Sequence, residues 1–183
     1  TFNGNKAFKE NKLKSIITSE EYKFWKLISG RKYLIESSVN LDRRLLKNFY
    51  KNKGYYNVKI NSSFAKLNDQ SNFELIYNIN EGEKYFFDNL ELNIPIDYNK
   101  DNYNEVYDLF SSLKGKPYSI LRIEKIIDVI DKISTNEQFT SVKATVKEII
   151  TDNKINLTFD VAETKKFVIN KINFLGNNVT REN

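Results

Sequence analysis

Phe73-Glu74-Leu75-Ile76-Tyr77-Asn78-Ile79-Asn80-Glu81 and Ile155-Asn156-Leu157-Thr158-Phe159-Asp160-Val161-Ala162-Glu163 decide the fold of this 183-residue chain. In each stretch apolar side chains alternate with polar ones, the period-two pattern of a half-buried strand. The two lie at an offset of 82 (155 − 73). The same offset relates Tyr85 to Phe167, Leu90 to Ile172 and Leu92 to Phe174, and it also relates Ile60, Ser62 and Phe64 to Val142, Ala144 and Val146. A fixed spacing over so many positions is a tandem duplication.

Two helical patterns precede each strand pair. In the second copy Tyr103, Val106, Tyr107, Phe110 and Leu113 share one helix face, and Gly115 with Pro117 ends that helix. A second helix then carries Ile120, Ile123, Ile126, Ile127, Ile130 and Ile133 on one face, with Ser119 as its N-cap. In the first copy Leu41, Leu45 and Phe49 form one ridge, Leu46 and Tyr50 its neighbour, and Gly54 suits a left-handed cap. A shorter first helix covers about residues 9–17. The hairpin turns fall at Asn68-Asp69-Gln70-Ser71 and Thr151-Asp152-Asn153-Lys154. Each copy therefore reads strand, helix, helix, strand, strand. The expected fold class is α+β: two βααββ modules, each a three-stranded mixed sheet with two helices on one face.

Composition excludes much chemistry. The chain has no His, Cys or Met, so no Ser-His-Asp triad, Cys-His dyad or thiolate zinc site can be built. Asp128 and Asp131 lie three apart on a helix, but beside an apolar stripe they read as a solvated flank. No catalytic residue, cofactor or metal is expected. The net charge is +5, yet 24 acidic residues are interleaved with 29 basic ones, which reads as a mixed, solvated surface and not a binding stripe. No run approaches the roughly 20 apolar residues of a membrane helix. No signal peptide precedes Thr1, and the abrupt ends suggest a piece of something longer.

Four motifs carry a family resemblance. Phe2-Asn3-Gly4-Asn5 and Phe174-Leu175-Gly176-Asn177 both read F-x-G-N. Asn48-Phe49-Tyr50-Lys51-Asn52-Lys53-Gly54-Tyr55 has the form aromatic-x-x-x-G-Y, and Ile79-Asn80-Glu81-Gly82-Glu83-Lys84-Tyr85 the form V-x-E-G-x-x-Y. Phe24-Trp25-Lys26-Leu27-Ile28-Ser29-Gly30-Arg31-Lys32-Tyr33 looks like the W-x-x-x-x-G-x-R/K-Y segment of the third such domain of BamA-type proteins. In order and spacing the set resembles POTRA domains, over essentially the whole chain. The second copy departs from it, with Asn136-Glu137-Gln138-Phe139 where G-Y is expected and Asn93-Ile94 where G-N is. The first copy lacks most of its first strand. The resemblance implies a third-like POTRA domain at 1–86, a fourth-like one at 87–167, and the first strand of a fifth at 168–183.

The resemblance implies a periplasmic location, as part of an outer-membrane protein, and no catalysis. Such domains receive unfolded outer-membrane proteins, dock partner lipoproteins of the Bam type and hand clients to an attached C-terminal membrane barrel. The physical means would be strand addition at an open sheet edge. Family structures place the second strand at one edge, so the candidate docking residues are Tyr55, Tyr56, Asn57, Val58, Lys59, Ile60, Asn61 and Ser62. Tyr55 to Ile60 spans five steps and Phe139 to Val142 three, which suggests a β-bulge or a longer lead-in. Tyr55, Tyr56 and Val58 fit either an exposed aromatic edge or packing beneath the helix. Trp25 and Arg31 are candidates for partner docking, with packing over the helix layer as the other reading of Trp25. Other carriers of POTRA domains, such as two-partner secretion or TamA-like proteins, chloroplast import channels and division proteins, share most of these features. Type I KH domains share the element order, but neither inter-helix stretch holds the G-x-x-G loop that clamps phosphates, so no nucleic-acid partner is expected.

Overall fold

The two alternating stretches become the central strands of two separate sheets. The computed structural model describes residues 1–19, 32–66, 73–136 and 142–163. The first module contains β1 (Phe2–Asn3), α1 (Glu10–Lys14), α2 (Lys32–Lys51), β2 (Lys59–Lys66) and β3 (Phe73–Asn80). The second contains β4 (Phe86–Asn93), a 3-10 turn (Lys100–Tyr103), α3 (Asn104–Leu113), α4 (Ile120–Asn136), β5 (Val142–Thr151) and β6 (Lys154–Glu163). The strand orders are β1-β3-β2 and β4-β6-β5. The first strand pairs parallel to the central one and the middle strand antiparallel. The fold is thus α+β with two three-stranded mixed sheets. The expected helix at 9–17 is confined to Glu10–Lys14.

Alternation decides which face is dry. In β6, Ile155, Leu157, Phe159 and Val161 are buried in one core with Val106, Phe110 and Leu113 of α3 and Ile123, Ile126 and Ile130 of α4. On the other face Lys147 pairs with Asp160 at 2.7 Å and Asn93 Nδ2 donates to Asp160 Oδ1 at 2.8 Å. These partners, Lys147 first, hold the Asp160 carboxyl below its ordinary range. The first module repeats the scheme with Leu13, Val39, Leu46, Tyr50, Ile60, Tyr77 and Ile79.

The pairing corrects the repeat. Ile79 and Val161 keep the offset of 82, but Ile60 faces Ile79 whereas Ala144, not Val142, faces Val161. In the helix and edge strand the true offset is 84. It superposes Val39 on Ile123, Leu46 on Ile130 and Tyr50 on Ser134, all buried. Phe139 to Ala144 is then five steps, like Tyr55 to Ile60, and the expected irregularity at the start of β2 disappears. Pairing in β2 runs without a break from Lys59↔Asn80 to Lys66↔Phe73. The two-residue difference lies in the hairpin, which in the second copy is a tight turn at Asp152-Asn153, with Asp152 at φ 54°. A register shift does occur, but in β4 between Phe87 and Leu90, where Asn89 N donates to the side chain of Asn156.

Gly4 shows what F-x-G-N is for. It has φ +81°, and a Cβ there would lie 2.1 Å from the Ile79 carbonyl oxygen. Only glycine lets the chain leave β1 this close to β3. The pairing of Phe2 with Tyr77 and of Leu92 with Phe159 sets Ile94-Pro95, and not the expected Asn93-Ile94, at the position of Gly4-Asn5 in the second copy.

Candidate functional site: the β2 edge and the junction beside it

The approach to β2 begins at the end of α2. Tyr55 N donates to Tyr50 O and Gly54 N to Lys51 O, both at 3.1 Å, the paired bonds of a Schellman cap. Gly54 takes the required positive φ of +99°. The apolar contact that accompanies such a cap is the Tyr50–Tyr55 ring pair, with centroids 5.6 Å apart. The aromatic-x-x-x-G-Y motif is therefore a helix terminator, and Tyr55 packs on Tyr50 and Phe8.

The eight candidate edge residues separate into two groups. Tyr55, Tyr56, Asn57 and Val58 precede the strand, which starts at Lys59 and not at Tyr55. Val58 is buried, Tyr55 and Tyr56 are half-buried, and Asn57 is exposed with its Nδ2 donating to Tyr85 Oη at 2.7 Å. Lys59, Ile60, Asn61 and Ser62 lie in β2, on the outer edge of the first sheet. Ile60 turns its side chain into the core, while Lys59 and Asn61 are exposed. Trp25, Arg31, the first turn at 68–71 and the strand at 168–183 lie outside the described residues.

Sequence reading missed the junction between the modules. Tyr56 leaves its own module and packs against the core of the second, its ring 5.0 Å from Tyr118 and 5.6 Å from Tyr85. The Glu148 carboxylate on β5 accepts from Tyr56 Oη at 2.8 Å and Tyr118 Oη at 3.2 Å. That hydrogen bond, with burial second, pushes the Tyr56 phenol up to about 12. Lys51 lies over the Tyr56 ring at 4.9 Å. Backbone links run beside these contacts: Tyr85 N to Gly54 O at 2.8 Å and Tyr118 N to Tyr85 O at 2.9 Å.

Asn52 completes the junction. Its Oδ1 accepts from Leu121 N at 3.0 Å and from Ser119 Oγ at 3.1 Å. Ser119 stands at the expected N-cap position, but the side-chain acceptor for the helix amide comes from the other module. The only sequence signal was an asparagine two residues before Gly54, and nothing in spacing reveals its target. Among the described residues no set of three His, Cys, Asp or Glu side chains is placed to hold a metal.

Comparison with known proteins places this geometry. Residues 1–82 match the sequence model of the POTRA family, described as a surface antigen variable number repeat. The outer-membrane protein assembly factor BamA of Buchnera aphidicola is 27% identical over 98% of this chain, and that of Neorickettsia risticii 25% identical over 99%. The chain spans only 29% and 24% of those relatives' lengths. Its structure resembles the crystal structure of Haemophilus influenzae BamA POTRA3-5, with a TM-score of 0.62, 19% identity, and coverage of 99% of this chain and 71% of that one. POTRA1-2 of the periplasmic domain of Omp85 from Anabaena gives a TM-score of 0.50 at 14% identity, covering 86% of each.

Proposed function

We propose, from the match of residues 1–82 to the POTRA family model and the alignment of 98–99% of the chain with BamA-type assembly factors, that the chain forms the periplasmic, client-receiving region of an outer-membrane β-barrel assembly factor. In this reading residues 1–86 and 87–167 are consecutive POTRA domains and 168–183 open a third. The parent protein carries a C-terminal membrane barrel, and no helix among the described residues is long and apolar enough to cross a membrane. The role is binding, not catalysis. Unfolded outer-membrane proteins add as strands to an open edge, and Bam-type lipoproteins dock on the same modules.

The observation that supports this reading best is the β2 edge. Eight residues pair with β3 without interruption on one side, and among the described residues β2 is the last strand of its sheet on the other. Such an edge offers a row of backbone donors and acceptors to an extended chain with little regard to its sequence, which suits a receiver of many clients. Tyr55 and Tyr56 serve the edge indirectly, by fixing the helix end and the module junction that present it.

The test is an amide-shift titration of the isotope-labelled tandem with a peptide copied from an outer-membrane β-strand. Saturable shifts concentrated on Lys59, Ile60, Asn61 and Ser62 are expected. A flat titration at millimolar peptide would remove client binding by these modules and leave a spacer or a lipoprotein dock.

A further inference from the structure

The backbone of β2 presents a specific row to its open side. Tyr77 N donates to Thr1 O, and the Thr1 amino group donates to Leu75 O, both at 3.0 Å. Odd-numbered residues of β3 therefore turn their polar groups toward β1. In an antiparallel ladder the N–H and C=O of one residue point the same way, so Ile79 and Tyr77 form non-hydrogen-bonded pairs with Ile60 and Ser62. Ile60, Ser62 and positions 64 and 66 consequently show N–H and C=O to the open edge.

The first acceptor in this row is already taken. Arg43, half-buried on α2, donates from Nε to the Ile60 carbonyl at 3.1 Å, and its Nη1 donates to Asn40 Oδ1 at 3.4 Å. The second module differs at this point. At the offset of 84 the residue matching Arg43 is Ile127, also half-buried, and the carbonyl matching Ile60 belongs to Ala144 on β5. An isoleucine has no donor to offer that carbonyl.

We propose that Arg43 gates the β2 edge: a strand adding there must take the Ile60 carbonyl from the guanidinium, whereas among the described residues the β5 edge carries no such gate. The proposal rests on the strand-addition reading above and names its control. A charged donor on an edge acceptor is a recognised way to blunt an edge. The gate is reversible, because the long Arg43 side chain can turn to solvent when displaced.

The experiment is the same titration with one probe, an end-blocked seven-residue peptide of alternating Val and Thr, on wild type, Arg43→Met and Arg43→Lys. Arg43→Met is expected to tighten binding at the β2 amides by about three- to tenfold, less than the full value of a charged hydrogen bond because the displaced guanidinium regains water. The β5 amides should respond alike in all three proteins, and Arg43→Lys should fall between. Equal or weaker β2 binding by a folded Arg43→Met protein overturns the gate and leaves strand addition standing. Shifts at neither edge in any protein overturn both. Shifts at β5 alone in wild type and at both edges in Arg43→Met support the gate in its strongest form. Should Arg43→Met fail to fold, Arg43→Gln is read by the same criteria.

Discussion

A buried carboxylate separates the modules at the residue scale. Asp42 is fully buried, with Oδ1 accepting from Thr18 N at 2.7 Å and Thr18 Oγ1 at 2.9 Å, and Oδ2 from Tyr77 Oη at 2.7 Å. Burial, then the carboxylate, raises the Tyr77 phenol far above its ordinary value. The matching residues of the second module are Ile126 and Phe159, both buried. One copy thus satisfies a polar pair where the other simply packs. Tyr77→Phe should cost about 1–3 kcal/mol in urea unfolding, since it removes a donor from a buried carboxylate. The double change Asp42→Ile with Tyr77→Phe, which imports the other module's pair, should cost less than the sum of the single changes by at least about 0.5 kcal/mol. Strict additivity would mean that the two side chains are not energetically coupled. A second exchange follows the same logic: Tyr50 of α2 reaches Glu81 at 3.0 Å, while its counterpart Ser134 bonds Tyr103 at 3.1 Å. The space left by the smaller residue is filled from a different element.

Among the elements, helix ends carry the connection between modules. The cap that closes α2 also supplies Gly54 O to Tyr85 N, and Asn52, two residues earlier, caps α4. A Cβ at Gly54 would lie 3.1 Å from Pro117 Cβ and 3.3 Å from Tyr85 O, so glycine is required both by its φ and by the neighbouring module. Asn52→Ala should destabilise the tandem by about 1 kcal/mol, the usual value of a lost N-cap. It should also let the modules reorient, so that residual dipolar couplings no longer fit one alignment frame. A single shared frame in that variant would leave the junction resting on Tyr56 and Gly54 alone.

For the whole molecule, the junction makes stability sensitive to alkaline pH. Tyr56 ionises at about 12 in the folded protein against 10.0 for the ordinary phenol. Above pH 10 the unfolded chain has released this proton while the folded one still holds it. The unfolded state then binds fewer protons, and stability falls as pH rises from 10 toward 12. Urea midpoints should be lower at about pH 11 than at about pH 9, with part of the difference abolished by Tyr56→Phe. An unchanged pH dependence in Tyr56→Phe would assign the effect to other tyrosines. The same variant should loosen the modules, since Glu148 then holds only Tyr118.

The sequence by itself determined the duplication, the order of elements within each copy, the central strands and most of the core. These depend on local periodicity, and Phe73–Ile79, Ile155–Val161 and the isoleucines of α4 announce it without reference to partners. It also supplied Gly54 with its reason, the left-handed helix cap, and Gly4 and the Glu81 signature without theirs. Only the tertiary structure decided the edge-strand register, because a slip of two residues preserves which face is apolar and leaves no trace in the alternation. Tertiary structure alone also decided the junction and the Arg43 contact. Asn52 with Leu121, Tyr56 with Glu148 and Arg43 with Ile60 each join residues from different elements, and a polar side chain's partner depends on where the fold carries it.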